Sequence, residues 1–329
     1  MICTRQGFIS LNAKDAIMFN TLGNAHFDRE NFDEAIDAYH HGLEIERTRL
    51  EPTHPNIIIT LSNIAETYRQ SGNFDLAIQA YQEVLYLQQQ RFGSCHPDIA
   101  KTLHVIGLIY DQMGDLSYAL ECIKYALEQQ QHMKSDLERR NLSAILTHAG
   151  CIFYRMNMLS TAMEYFDEAL SIQRKKNDKK EIAFTLYNMG LCHQAEENYK
   201  VAIDCYSEAL EHEEKILGKG HRDTSATLFK LGEVYSTLRM YDKALYSFQI
   251  ALKIERQSVD KDEDFVNEAR ILIEIGYVHY FKGNNAAIQD TLNEISTMDR
   301  RGGLSQKNMI LFKFLQTFGM TCQPAAPAA

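Results

Sequence analysis

The sequence predicts an all-α solenoid, a series of antiparallel helix hairpins stacked on one another. Three observations predict it. Small residues recur at Gly23, Ala65, Gly107, Gly150, Gly190, Gly232 and Gly276, at successive spacings of 42, 42, 43, 40, 42 and 44 residues. A second column keeps step at Ala35, Ala77, Ala119, Ala162, Ala202 and Ala244, with Ile288 in the seventh place. The prolines stand at 52, 55, 97, 324 and 327, so residues 98–323 contain none, and Ala, Leu, Glu, Gln and Lys are spread throughout; such a run favours helix.

A leader, residues 1–13, precedes seven hairpins read at about 14–54, 55–96, 97–137, 138–178, 179–221, 222–263 and 264–299. The first carries Phe19 four residues before Gly23, then Ala35 and Tyr39; the second repeats this with Leu61, Ala65, Ala77 and Tyr81. The third, centred on Asp98 to Gln131, states the rule most cleanly. Leu103, Ile106, Gly107 and Tyr110 form one stripe at helical spacing, and Leu116, Ala119, Leu120, Ile123, Ala126 and Leu127 form another. Gly114 lies between them, suited to a left-handed helix stop. The fourth, fifth and sixth keep Leu146, Leu186 and Leu228 before the small residue, and Phe166, Tyr206 and Phe248 after the alanine. The seventh departs, with Ala287 one place early and Asn285 where an aromatic is usual. Terminal repeats are often atypical because one side faces water. Residues 300–329 read as an end-capping helix over Leu304 to Phe318 followed by a disordered tail, CQPAAPAA.

A glycine inside a helix costs about 1 kcal/mol relative to alanine. Its return in six of seven hairpins predicts that a second backbone passes close by. In the third hairpin, Ala119 is expected inside and Gln130 outside. Replacing Ala119 with leucine should therefore destabilise, while truncating Gln130 should not.

Composition narrows function by exclusion. A net charge of −10 disfavours nucleic acid as partner. No window reaches the roughly 18 uncharged apolar residues of a membrane span, and the N-terminus shows no secretory pattern. Seven cysteines at irregular spacing fit reduced thiols and a cytoplasmic location rather than a disulfide framework or zinc site. Motifs for nucleotide binding, metalloprotease chemistry and serine hydrolysis are missing. The expectation is a non-enzyme without cofactor or metal.

The Leu-Gly, Tyr, Ala, aromatic and Ala pattern resembles the tetratricopeptide repeat, with a period near 42 in place of 34. Thr53-His54-Pro55, Cys95-His96-Pro97-Asp98-Ile99-Ala100 and Leu217-Gly218-Lys219-Gly220-His221 resemble the junctions of kinesin-light-chain repeats. The connectors near Met133–Arg140 and Lys175–Lys180 lack His-Pro. The resemblance implies a right-handed superhelix whose first helices line a concave groove. It places Asn20, Asn24, Asn63, Glu66, Arg69, Lys101, His104, His148, Tyr154, Arg155, Tyr187, Asn188, Lys230 and Glu233 as peptide-groove candidates. Asparagine offers both donor and acceptor, so it can hold a peptide backbone whatever the side chains. A clamp for a C-terminal carboxylate would use Asn24, Asn63 and Lys101, but Asn20 and Val105 stand where two further cations would be needed.

These features imply a protein–protein interaction scaffold that binds an extended peptide or partner helix in its groove. One alternative is a kinesin-light-chain-like cargo adaptor. A motor heavy chain is then the implied partner, although no heptad coiled coil precedes residue 14. Another is a regulatory or sensor subunit of an enzyme complex, or a fragment of a longer multidomain protein.

Overall fold

In the computed structural model, residues 13–131, 141–257, 265–299 and 313 are described. The leader up to residue 12, the connector at 132–140 and the proposed end-capping helix and tail lie outside them. The chain divides into two compact units, Met1–Tyr165 and Phe166–Ala329.

In the first unit, α1 (Ala13–Phe27) pairs with α2 (Phe32–Arg49), α3 (Pro55–Gln70) with α4 (Phe74–Phe92), and α5 (Pro97–Met113) with α6 (Leu116–Gln131). Then come α7 (Leu142–Arg155) and α8 (Leu159–Lys176), the latter running across the division. In the second unit, α9 (Lys179–Ala195) pairs with α10 (Tyr199–Leu217), α11 (Arg222–Thr237) with α12 (Tyr241–Gln257), and α13 (Phe265–Phe281) with α14 (Asn285–Asp299). Within each unit the second helix of a pair also packs on the first helix of the next. No helix among the described residues is long and apolar enough to cross a membrane.

The hairpin turns share one backbone geometry. Asn31, Asn73, Asp115, Met158, Asn198, Met240 and Asn284 each donate their amide to the carbonyl five residues back, at 2.8–3.0 Å. The residue before each donor is left-handed: Glu30, Gly72, Gly114, Asn157, Glu197, Arg239 and Gly283. This is the Schellman arrangement, which satisfies the last carbonyls of the first helix. Gly114, with φ 84°, adopts it freely, whereas Glu30, Glu197 and Arg239 hold φ of 61°, 60° and 57° with a full side chain.

The alanine column is sealed. Ala35, Ala77, Ala119, Ala162, Ala202 and Ala244 are fully buried, and Ile288 nearly so. Tyr39, Tyr81, Ile123, Phe166, Tyr206 and Phe248 are buried beside them. What approaches the glycines differs from the sequence expectation. At Gly23, Gly190 and Gly232 the neighbour is an aromatic ring. A Cβ there would lie 2.5–2.6 Å from Tyr39, Tyr206 or Phe248. Gly107, whose hairpin has Ile123 in the aromatic place, does meet a backbone atom, the Ala119 carbonyl oxygen at 3.3 Å.

A second correction concerns Gln130, which is 1% exposed rather than on the surface. Its column, missed in the sequence, recurs as Glu46, Gln88, Gln173 and Glu213, all buried. Two of them bond to the next hairpin. Thr102 donates to Gln88 Oε1 at 2.9 Å and Thr227 to Glu213 Oε1 at 2.9 Å, so a polar clip joins consecutive hairpins inside the core.

Candidate functional site

The candidate groove residues sit on the first helix of each hairpin, and the structure gives them distinct jobs. Tyrosines of the second helix reach through to this face. Tyr39 donates its hydroxyl to Asn24 Oδ1 at 2.7 Å, Tyr81 to Glu66 Oε2 at 3.1 Å and Tyr206 to Gln194 Oε1 at 2.9 Å. Burial pushes the Tyr39 phenol up to about 12. These hydroxyls act as neutral donors that orient Asn24, Glu66 and Gln194.

Asn20 is drawn into the junction. Its amide donates to Glu46 Oε1 at 3.0 Å and to Thr60 Oγ1 at 2.8 Å, so both hydrogens are used between α1, α2 and α3. Asn188, only 8% exposed, donates to the Phe184 carbonyl of its own helix at 2.7 Å. Asn20 thus spends both amide hydrogens at the junction, and Asn188 spends one on its own helix. Asn63 is half-buried and Lys101 is exposed on the neighbouring helix.

Three clusters hold the remaining charged candidates. On α3, Glu66 binds Arg69 through two bonds at 2.5 and 2.9 Å and also accepts from Gln70 at 2.8 Å. Burial alone would raise its pKa, but the bonds from Arg69 and Gln70 hold it below the usual value.

Between α5 and α7, Arg155 donates to the Asp111 carboxylate and, at 3.0 Å, to the Asp111 carbonyl. His148 Nε2 lies 3.9 Å from the same carboxylate, and its ring is 5.2 Å from that of His104. Burial, followed by the neighbouring His148, lowers the His104 pKa to about 3, which keeps that imidazole neutral. His148 is 7% exposed and His104 half-buried, so this histidine pair lies in the packing of α5 against α7 rather than on the surface. Tyr154 is half-buried on α7.

On α11 and α13, Lys230 and Arg270 flank Glu233 at 2.7 and 3.5 Å, and the Arg270 guanidinium lies 4.1 Å above the Phe229 ring. Burial and then the Glu233 charge raise Glu274 to about 7. On α9, Tyr187 is half-buried against Tyr206 at 5.7 Å, and Phe184 stands exposed one turn before it. Asp111 and Arg270 are the partners a search for single candidate residues underrates. Asp111 reads as a turn residue, yet it anchors both Arg155 and His148.

The histidines of the three connectors do structural work that the sequence did not announce. Nδ1 of His54, His96 and His221 accepts from the backbone amides of Asn56, Asp98 and Asp223, each at 3.2 Å, so each histidine caps the following helix. Pro55 and Pro97 then occupy the first helical position, where a missing N–H costs nothing. Cys192 is buried, and burial pushes its thiol up to about 12, as it does Cys122 and Cys205 to about 11. Such thiols are inert packing groups. Among the described residues no three His, Cys, Asp or Glu side chains are grouped to hold a metal.

The family described as Tetratricopeptide repeat matches residues 14–90, 59–132 and 181–257, and a second pattern of the same description matches 143–176. No curated protein matches the chain. Solved structures share the fold at low identity. The apo form of RapI is similar at 17% identity with a TM-score of 0.65, over 96% of this chain and 88% of that one. BtubC (BKLC) from P. vanneervenii is similar at 17% identity and TM-score 0.57, over 79% and 94%. A putative kinesin light chain from Podosopora anserina, with nearly identical TPR-like repeats, is similar at 16% identity and TM-score 0.51, over 63% and 98%.

Proposed function

The chain belongs to the tetratricopeptide repeat family, and we propose that it is a non-enzymatic scaffold that binds an extended peptide or partner helix along its first helices. The observation that carries this reading is that α3 and α5 leave Asn63 half-buried and Lys101 exposed on adjacent first helices. Asn24 adds an amide whose oxygen is already fixed by Tyr39, so its N–H groups are oriented outward at little entropic cost. On α9, exposed Phe184 beside Tyr187 offers an apolar contact of the kind that anchors a peptide side chain.

The test is peptide-library selection on the immobilised full chain, repeated with Asn24→Ala/Asn63→Ala/Lys101→Ala and separately with Phe184→Ala. Circular dichroism verifies that each variant stays folded. Loss of selected peptides in either variant supports the first-helix surface; identical selections from both variants overturn it. A second reading, a kinesin-light-chain-like cargo adaptor, rests on the His-Pro caps at His54 and His96. Co-purification with a motor heavy chain separates it from a general scaffold.

A further inference from the structure

The polar clip that joins consecutive hairpins lacks its threonine at two junctions. Five residues before each small residue of the later hairpins stand Thr60, Thr102, Thr185 and Thr227, but Ile145 and Ile271 replace threonine before Gly150 and Gly276. Opposite them, the buried polar column continues unchanged at Gln130 and Glu255. Both amide atoms of Gln130 are buried without a hydrogen-bond partner among the described residues, whereas Glu255 Oε2, also without a hydrogen bond, lies 4.0 Å from Arg222 Nε of its own hairpin. The same two junctions carry the longest repeat spacings, 43 and 44 residues. Where the clip forms at Gln88–Thr102 and Glu213–Thr227, its members are 14 residues apart.

At both junctions a substitute appears on the other side of the fold. First helices touch directly, α5 with α7 and α11 with α13. Each contact carries an ionic tie, Arg155 to Asp111 in one and Arg270 to Glu233 in the other. Arg155 and Arg270 are 42% and 46% exposed, so these ties are open to screening. A buried clip and an exposed ion pair are not equivalent. Leaving a buried amide unpaired costs its full desolvation, whereas an exposed ion pair returns little and weakens with salt.

We propose that the α6–α7 and α12–α13 junctions are built-in joints. They open below the global unfolding free energy and are held shut by a salt-sensitive tie in place of a buried clip. In a repeat array, stability is a sum of local and nearest-neighbour contributions, so a weak interface becomes a separate opening step.

Hydrogen exchange read by mass spectrometry on the full chain tests this. Gln130→Met replaces the unpaired amide with an apolar side chain of similar shape and should slow exchange across α6 and α7 on the order of tenfold. Thr102→Val removes the clip hydroxyl at an intact junction and should speed exchange across α4 and α5 by a similar factor, while Thr102→Ser, which keeps the hydroxyl, should not. Raising salt to about 1 M should speed opening at α6–α7 and at α12–α13 several-fold, and at α4–α5 not at all. Unchanged or faster exchange in Gln130→Met, silence of Thr102→Val, or salt-independent opening at both joints would each overturn the proposal.

Discussion

Gly232→Ala should destabilise the protein, although alanine is the better helix former. A Cβ at Gly232 falls 2.5, 2.6 and 2.8 Å from Cε1, Cδ1 and Cζ of Phe248. Comfortable carbon contacts lie at about 3.5–4.0 Å, so the ring must withdraw by roughly 1 Å. It has nowhere open to go, being fully buried and tilted against Phe229 at 5.5 Å. Overpacking of this kind costs about 1–3 kcal/mol, and the helix preference of alanine returns about 1 kcal/mol. The net expectation is a loss of about 0.5–2 kcal/mol. Gly107→Ala is the matched control. Its Cβ would meet the Ala119 carbonyl oxygen and the movable Ile123 Cδ1, both at 3.3 Å, so helix preference should win and the change should be neutral or stabilising. Urea denaturation followed by far-ultraviolet circular dichroism measures both. Combining Gly232→Ala with Phe248→Leu should cost less than the two changes summed, since the leucine makes room. A stabilised Gly232→Ala, or equal harm from both alanines, refutes the ring as the reason for the glycine.

Other outcomes follow from the same geometry. Glu213 is buried, with Oε2 unpaired, and burial raises its pKa from 4.5 to about 7. Because the folded state then holds the proton more tightly than the unfolded one, stability should be greatest below pH 4.5 for this group and fall as pH rises through 7. Glu213→Gln keeps an acceptor for Thr227, so it should stabilise at pH 8 and be nearly neutral at pH 4, read as thermal midpoints at each pH. Glu197→Gly and Arg239→Gly relieve a left-handed side chain at φ 60° and 57° and should each stabilise by about 0.5–1 kcal/mol in chemical denaturation, unlike glycine placed elsewhere in a helix. His96→Ala removes the cap of α5 and should cost about 0.5–2 kcal/mol, while His96→Asn should recover most of it because asparagine accepts from the same amide. Melting curves of the two variants side by side decide this.

The packing columns were legible because each is carried by residue types with one plain physical reading. Alanine at Ala35 or Ala202 leaves space, the aromatic four residues after it (Tyr39 or Tyr206) fills space, and the 42-residue return puts both on a face that only a neighbouring hairpin can cover. What stayed hidden depends on partners far apart in sequence. Gln130 sits amid Glu128, Gln129 and Gln131, a polar run that looks solvated; only the fold shows that Gln130 is buried while Glu128 is exposed. The Schellman turns were hidden for the opposite reason. Their geometry is common to all seven hairpins, but Glu30, Glu197 and Arg239 occupy the left-handed position without the glycine that would advertise it.

The candidate groove lies between these cases. Its helices could be read, since first helices follow from the small-residue column, but the availability of each side chain could not. Asn20 and Asn63 look alike as sequence, yet Asn20 spends its amide on Glu46 and Thr60 whereas Asn63, one hairpin later, is half-buried. Polar residues in this array therefore divide by what the next hairpin offers them. Where it offers a hydroxyl, as Thr102 does to Gln88, they lock a junction, and where an isoleucine replaces it, as Ile145 does, Gln130 is left unpaired in the core.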